Sequence, residues 1–535
     1  MFYRFLFVLS FLVATNFCDA KAEDGLGCCK EEILQRLIYD FEFNNNQKLK
    51  TLYSHNDYKT LWDIQNIEQL IISLADKNLN YCDKPYHTKE LKSMLSKLKT
   101  TDLTNMQRSR LDLLASDTFL SFSKDLYEGE IDWNRFEEIL KLEEDKNLVW
   151  ERNPQKRDYV IDLKRALHNH SIGYVLQSYI PKERGYKWLI KAYHKYKDLK
   201  FPKIDYLKDM KIGDYGYDVV QLKKFLLVSG DLKNDNPSYL SFPNFDEELK
   251  RAVLSFQKRH YLKQTGVFDK VNAYYARVGA KEKLKKIALN IERYKLFPRI
   301  KSDIYIVINI PGFWLKFFQN DELVKDIFVV VGREDRPTPI FKDFLEYIVL
   351  NPTWSIPQNL MKKDYIPQLV KDPNSLEKDD IVIYKNGKII DPHSIDWSIY
   401  LDYDGNLPFQ MVQKAGEKNV LGEMKFIFPN RYHVYLHDTD AKNLTIRRYR
   451  LFSSGCIRLS DPYALLGLLA PYTGYDISTL VKMIDKGKTM KIKLRKRIPI
   501  HIRYLSVFVD EEGRVNFRKD FYGYDAIQMD LLNRF

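Results

Sequence analysis

Apolar residues recur at helical spacing through the N-terminal part of the chain. Between residues 31 and 43 the spacing of the apolar positions fits one face of a helix: Ile33, Leu34, Leu37, Ile38 and Phe41. The same pattern returns, with few Gly or Pro residues inside the runs, at 61–74, 91–98, 110–127 and 187–196. We therefore predict an α-helical scaffold over residues 23–207, in which no cluster of titratable residues suggests chemistry.

Residues 208–280 combine short helical patterns with tight turns. The apolar positions of 218–227 fall on one face of a first helix, Asp246 is placed to cap a second, and a third begins near Asn272. This segment is predicted to be a three-helix module. A connecting helix over 281–299, ended by a proline, follows it.

Beyond residue 300, β-branched and aromatic runs bounded by Gly and Pro replace the helical pattern. Strands are predicted at 302–310, 313–318, 323–331, 347–350, 381–384, 424–427, 432–436, 491–494 and 500–509. A short helix is expected over 461–469. The pattern favours one mainly β domain over residues 300–525, so the chain as a whole is a multi-domain α+β protein. Residues 358–422 are polar and irregular, which indicates an insertion over the sheet that could act as a mobile lid.

The first 22 residues resemble a secretory signal peptide. Arg4 precedes an apolar run over residues 5–15, and small residues flank Lys21. The run is short for a membrane span, although an uncleaved segment would leave the protein membrane-associated. An exported protein is therefore expected.

Composition narrows the class of protein. The 535 residues leave room for several domains, and 45% hydrophobic and 14% aromatic residues are typical of packed globular proteins. The net charge of +13 suits an anionic wall or lipid surface, but solvated lysines alone would also explain it. Nucleic acid is not expected as a partner, since the chain is exported and has no nucleic-acid motif.

Five cysteines are few for an exported protein. Cys18 leaves with the signal peptide. One disulfide could join Cys82 to either Cys28 or Cys29, and the sequence does not decide between them. Cys456 has no cysteine close to it in sequence.

Cys456 and His437 are the candidate catalytic pair. A thiolate attacks a carbonyl while an imidazole takes up the proton and later returns it, and the two residues are 19 positions apart. Ser454 and Gly455 precede the cysteine, and their small side chains allow a tight turn whose backbone N–H groups could hold an oxyanion. In a strand, Tyr435 would share a face with His437.

Two other interpretations of these residues remain open. A lone cysteine is often only a small buried hydrophobic residue. His433 and His437 could ligate zinc, but no third ligand of the usual kind is near. Asp438, adjacent on a strand, should face away from the imidazole, so a backbone carbonyl is the expected group that orients His437.

The segment YHVYLHDT, followed by SSGCIRL, resembles the catalytic domain of the L,D-transpeptidases. LNPTWSIP, LGEMKFIFPN and the closing FRKDFYGYD agree with this family. The usual family motif has a histidine where this chain has Ser454. GDYGYDVVQLKKFL, within 208–280, resembles the three-helix type of peptidoglycan-binding domain.

The resemblance implies a function and a set of roles. Cys456 would attack the diaminopimelate carbonyl of a donor tetrapeptide, and a second diaminopimelate amine would complete a 3→3 crosslink. Gly455 and Cys456 would hold the oxyanion with help from Tyr435, Arg458 would hold a substrate carboxylate, and Trp354 would pack against the substrate or the lid. Arg458 could equally form a structural ion pair, and Trp354 could be core. No metal or organic cofactor is implied.

The family resemblance leaves several alternatives open. Water as acceptor would make the enzyme an L,D-carboxypeptidase, a protein lysine would attach proteins to the wall, and a retired site would leave a wall-binding protein. Other cell-wall synthases are candidate partners, and the oligomeric state is open. Cys456 is expected to be acylated by carbapenems, and to react with alkylating reagents near neutral pH faster than a free cysteine does.

Overall fold

The computed structural model describes residues 30–143, 147–152, 157–204, 206–297 and 299–532. Cys28, Cys29 and the predicted signal peptide at 1–22 lie outside these residues. No helix in the described ranges combines the length and apolarity needed to cross a membrane.

The chain forms two compact units, each assembled from separate stretches of sequence. One unit contains Met1–Glu130, Asn153–Asp198 and Ile291–Pro298. The other contains Ile131–Arg152, Leu199–Asn290 and Arg299–Phe535. The domain boundaries at 207, 280 and 525 stay predictions.

The first unit is helical, as predicted. Its helices are Lys30–Asp40, Asn46–Ser54, Ile64–Ala75, Thr88–Thr100, Asn105–Tyr127, Tyr159–His168, Ile172–Tyr179 and Arg184–Lys197. The apolar face predicted for the first of these is confirmed, since Ile33, Leu34, Leu37 and Ile38 are all buried. Thr104 and Gln107 form a capping box at the start of the longest helix.

The helices of the second unit begin with Trp133–Leu142. The helices predicted within 208–280 are found at Tyr217–Ser229, Glu247–Arg259 and Lys270–Arg277, and a short helix that was not predicted lies at Pro237–Ser241. Asp246 is confirmed as an N-cap, because its side chain accepts a hydrogen bond from the Leu249 N–H at 2.8 Å. A longer helix, Ala280–Leu296, connects this module to the first strand.

The described residues from 299 to 532 form fifteen strands, and most predicted strands are confirmed. They are β1 (Ile304–Asn309), β2 (Trp314–Gln319), β3 (Glu322–Gly332), β4 (Lys342–Leu350), β5 (Trp354–Ser355), β6 (Ile381–Lys385), β7 (Lys388–Ile389), β8 (Gln410–Gln413), β9 (Met424–Ile427), β10 (Leu436–His437), β11 (Leu451–Ser453), β12 (Ile457–Leu459), β13 (Met490–Arg503), β14 (Val507–Val509) and β15 (Val515–Phe517). Helices in this region are Gln358–Leu360, Ile366–Lys371, Pro462–Leu469, Ile477–Asp485 and Tyr524–Asp530, with a π-helical turn at Met361–Tyr365.

Nine of these strands form one mixed sheet that closes on itself. The order is β11-β3-β12-β10-β9-β4-β13-β1-β2, and β2 also pairs with β3. The extra pairing joins the end of the sheet back to β3, which makes a barrel. β10 and β12 are parallel neighbours in this barrel, whereas β10 and β9 are antiparallel.

The insertion between β4 and β9 is a folded subdomain, so the prediction of irregular chain at 358–422 is wrong. Its four strands have the order β5-β8-β6-β7. A separate hydrophobic core holds it together: Ile356, Met361, Ile366, Leu369, Leu376, Ile381, Ile383, Trp397, Leu407, Phe409 and Met411. That this subdomain moves as a lid stays a prediction.

The predicted strand at 432–436 is also wrong over most of its length. Only Leu436 and His437 pair as a strand, and the residues before them form a turn and an irregular segment. His433 takes a left-handed backbone conformation with φ 55°. The Asn430 side chain donates to the Val434 carbonyl at 2.7 Å and accepts from the Val434 N–H at 3.1 Å, in place of a neighbouring strand.

Candidate active site

Parallel pairing of β10 and β12 brings the two candidate catalytic residues together. Leu436 lies opposite Ile457, and His437 lies opposite Arg458. Cys456 comes immediately before β12, and its neighbouring amide, that of Ile457, donates to the Tyr435 carbonyl at 3.1 Å. The barrel therefore places the cysteine beside the segment that leads to the histidine.

Thr338 holds the turn that carries Cys456 through hydrogen bonds of its side chain. The buried Thr338 hydroxyl donates to the Gly455 carbonyl at 2.9 Å and accepts from the Gly332 N–H at 2.9 Å. Tyr522 also holds Gly332 in position, because its hydroxyl donates to the Gly332 carbonyl at 2.6 Å. Gly455 itself has φ 112°, a conformation that favours glycine.

Replacing Thr338 by Val should loosen this turn while keeping the shape of the side chain. Two buried polar groups would lose their partner, so we expect the free energy of unfolding to fall by about 1–3 kcal/mol for each group left unpaired. Urea unfolding of the purified protein would measure this change. Thr338→Ser, which keeps the hydroxyl, is the matched control, and an equal loss in both variants would contradict the role of the hydroxyl.

The His437 imidazole is oriented by a backbone carbonyl, as predicted. Its Nδ1 lies 2.5 Å from the Asp438 carbonyl oxygen. A carbonyl can only accept, so Nδ1 carries the proton and Nε2 is the basic nitrogen. Burial lowers the pKa of His437 to about 3, with help from the positive charges of Arg458 and Lys425. The imidazole is therefore neutral and ready to accept a proton at ordinary pH.

Burial of Cys456 favours the neutral thiol over the thiolate. Burial raises its pKa, although Tyr435, Arg458 and Lys425 act in the opposite direction. Its hydrogen bond goes to the His433 carbonyl, with Sγ 3.8 Å from the oxygen. Alkylation needs the thiolate, so burial acts against fast alkylation, and the expected rate near neutral pH stays a prediction. Attack on a substrate requires the thiol to rotate from this carbonyl and to lose its proton to a base.

A cavity of about 980 Å³ opens onto the pair. Its lining includes six of the seven residues singled out from sequence: Trp354, Tyr435, His437, Ser454, Cys456 and Arg458. Gly455 lies beside it, and its N–H already donates to Ser453 Oγ at 3.2 Å. An oxyanion would therefore meet the Cys456 N–H more readily than that of Gly455. The roles of all seven residues stay predictions.

Sequence reasoning missed the ion pair that joins the insertion to the catalytic turn. Arg336 donates to both carboxylate oxygens of Asp364, at 2.7 and 2.9 Å, and to Ser454 Oγ at 3.1 Å. The arginine lowers the pKa of Asp364. Ser454, where the family usually has histidine, is thus held by a residue from elsewhere in the chain. Nothing in the local sequence pattern marks Arg336 or Asp364, because only the folded barrel and insertion together bring them into contact.

Lys425 is a third residue that the sequence did not single out. It lies on β9 opposite His437 and lines the cavity. Within the described residues, no group of three or more His, Cys, Asp or Glu side chains could hold a metal ion. The site is thus built from a thiol, an imidazole and several cationic side chains.

Two protein families match the chain. The L,D-transpeptidase catalytic domain (YkuD) matches residues 303–492, and the Scaffold domain matches residues 47–192. The first contains the insertion, the Cys456–His437 pair and the barrel up to the start of β13. The second lies within the helical part of the chain.

A protein of Haemophilus influenzae named "Putative L,D-transpeptidase" is 31% identical over 257 residues. The match covers 47% of this chain and 51% of that protein. The matched region thus spans about half the length of this curated relative.

Solved structures with similarity to the chain include an L,D-transpeptidase from Mycobacterium smegmatis, at 12% identity over 38% of this chain and 60% of that one, with a TM-score of 0.18. An L,D-transpeptidase from Stackebrandtia nassauensis is 12% identical over 57% of this chain and 97% of that one, with a TM-score of 0.21. Both TM-scores are too low to support a conclusion. The Cys456–His437 pair thus lies in the part of the chain, residues 303–492, that matches the L,D-transpeptidase catalytic domain.

Proposed function

We propose that this protein is a peptidoglycan L,D-transpeptidase that forms 3→3 crosslinks between diaminopimelate residues through a cysteine acyl-enzyme. The observation that carries the proposal is the position of Cys456 and His437 on one cavity of an L,D-transpeptidase catalytic domain. The neutral imidazole, with its basic nitrogen at Nε2, is suited to take the thiol proton.

The first half of the reaction forms a thioester. The Cys456 proton moves to His437 Nε2 as the sulfur attacks the carbonyl carbon of diaminopimelate in the donor. The Cys456 N–H stabilises the oxyanion that forms. The C–N bond then breaks, His437 gives its proton to the leaving nitrogen, and D-alanine departs.

The second half uses the side-chain amine of another stem peptide. The neutral amine attacks the thioester carbonyl, His437 accepts a proton from it, and the C–S bond breaks. That proton returns to the sulfur, so that the thiol and the neutral imidazole are restored. One amide is broken and one is formed, and no oxidant, reductant or metal is needed.

The charge of the cavity supports an anionic peptide substrate. Four cationic side chains line it: Arg333, Arg336, Lys425 and Arg458. Among the described residues, the lining includes one carboxylate, that of Asp364. Stem peptides carry several free carboxylates, so a cationic cavity favours them. We further propose that the protein acts on the wall outside the cytoplasm, and that residues 208–280 contact the glycan.

The direct test is an incubation of the purified protein with a disaccharide-tetrapeptide, followed by mass spectrometry. We expect dimers joined between two diaminopimelate residues, formed with loss of one D-alanine. Tripeptide monomers alone would show a carboxypeptidase instead. Donor recovered unchanged, beside an active L,D-transpeptidase as positive control, would overturn the proposal.

A further inference from the structure

Lys425 shares a face of the barrel with His437. The two residues are directly opposed in the antiparallel pair of β9 and β10. Directly opposed residues project to the same side of a sheet with their Cβ atoms about 5 Å apart. Both side chains line the active-site cavity, and the lysine charge contributes to the low pKa of His437.

Lys425 differs from the arginines that line the cavity near the insertion. Arg336 is paired with Asp364, and Arg333 is paired with Asp335 at 3.1 Å. Lys425 forms no ion pair or hydrogen bond with any side chain in the described part of the protein. The Lys425 Nζ lies 5.5 Å from the centroid of the Tyr435 ring, a cation–π contact.

The half-buried position of Lys425 makes it unfavourable for its ammonium group to have no ion-pair partner. The side chain is half-buried, and burial lowers the pKa of its ammonium group. Cys456 acts in the opposite direction, and Lys491 acts in the same direction as burial. Arg458, on the strand beyond His437, adds a second positive charge, and its Nε has no hydrogen-bond partner within the described ranges. Asp440 offsets part of the effect of burial on Arg458, whereas Lys425 is paired with no described carboxylate and would be stabilised by one that a ligand brings.

The reaction places a carboxylate at this position. His437 must lie close to the leaving nitrogen in order to protonate it. In a donor tetrapeptide, the carbon attached to that nitrogen also carries the free terminal carboxylate. A carboxylate so close to the nitrogen lies within the reach of a side chain that leaves the sheet beside His437.

We infer that Lys425 binds the terminal carboxylate of the leaving residue and so selects donors that have one free residue after the scissile amide. The inference rests on the proposed function. In a donor longer by one residue, the carboxylate moves by about 3.5 Å along the chain and the contact is lost. Lys425 therefore selects donors by their length and terminal charge. It takes no part in the acyl-transfer steps themselves.

The test compares two donors that differ only in this group: the tetrapeptide with its terminal carboxylate, and the same peptide as its terminal carboxamide. With the wild-type enzyme, we expect kcat/KM for acylation to be about 10- to 100-fold higher for the carboxylate, mainly through KM. In Lys425→Met the two donors should have about equal values of kcat/KM. Lys425→Arg should recover part of it.

Lys491→Met is the matched control, because it removes the same charge from a nearby lysine. Lys491 lies on β13 with Nζ 4.0 Å from the centroid of the Tyr347 ring, and it does not line the cavity. This variant should keep the wild-type preference. A Lys425→Met enzyme that still prefers the carboxylate would overturn the inference.

Binding to the Cys456→Ala protein separates this inference from the proposed function. Calorimetry should show tighter binding of the carboxylate donor than of the carboxamide, and Lys425→Met in the same background should abolish the difference. Failure of wild-type enzyme to acylate either donor would defeat the proposed function alone. Equal binding of both donors to Cys456→Ala, or binding of neither, would defeat the role of Lys425 alone.

Discussion

Cys456→Ala should abolish acyl transfer, whereas Cys82→Ala should leave it intact. Cys456 is the thiol on the cavity, and no other side chain there can form the acyl bond as a thioester. Removing a nucleophile of this kind costs on the order of 10⁵-fold or more in kcat. Cys82, the other free cysteine among the described residues, belongs to the helical unit and serves as the matched control.

Mass spectrometry of the intact protein checks this expectation. After incubation with a tetrapeptide donor, or with a carbapenem whose strained carbonyl acylates thiols, the wild-type protein should gain the mass of one acyl group. Cys82→Ala should gain the same mass and Cys456→Ala none. An adduct that persists in Cys456→Ala would show that another group is acylated.

The raised pKa of Cys456 separates substrate acylation from simple alkylation. A small alkylating reagent brings no group that draws the thiol from the His433 carbonyl, so its reaction depends on the small fraction of thiolate. A bound donor places its carbonyl and its leaving nitrogen next to His437. Slow alkylation at neutral pH is therefore compatible with efficient acyl transfer, and it is not evidence for a retired site.

The main features of the barrel could be predicted from sequence because its strands are regular. β1, β2, β3 and β9 alternate or run apolar between clear turn residues, and their predicted positions agree with the structure to within about two residues. The segment before β10 looks equally regular. It fails as a strand because the Asn430 side chain satisfies the backbone of Val434.

The fold of the insertion could not be predicted from the sequence, for another reason. Its strands are short, with β5 and β7 only two residues each, so no period can be recognised. Its core draws single apolar residues from turns, short helices and strands that are distant in sequence. Such a core is specified by tertiary packing, and local pattern carries little trace of it.

The chemistry of the site was more visible than its electrostatics. A cysteine after small residues and a histidine in an alternating run are rare enough to be found by reading the chain. The charge that surrounds them is not. Arg336, Asp364 and Lys425 look like ordinary surface residues in a chain with 29% charged residues, and only the folded barrel and insertion together bring them to the site. Their effect on the thiol and the imidazole follows from burial, which depends on the complete fold.

His437→Asn should separate the two functions of the imidazole. The Asn amide can still donate to the Asp438 carbonyl in place of Nδ1, but nothing replaces the basic Nε2. We expect kcat/KM for acylation to fall by about 10²- to 10⁴-fold, the usual contribution of a general base. His433→Asn is the matched control. His433 lines the same cavity and has φ 55°, a conformation that Asn tolerates, so this variant should retain most of the activity.

The pH dependence gives the sharper test. In the wild-type enzyme the base is neutral above its pKa of about 3, and the thiol keeps its proton through the neutral range because its pKa is raised. The rate should therefore be nearly flat around neutrality and fall only as the pH approaches about 3. In His437→Asn the thiolate becomes the sole nucleophile, so the residual rate should rise about tenfold per pH unit below the thiol pKa. A flat profile in the variant, or an acid limb near the ordinary histidine pKa of about 6.5 in the wild type, would contradict His437 as the buried neutral base.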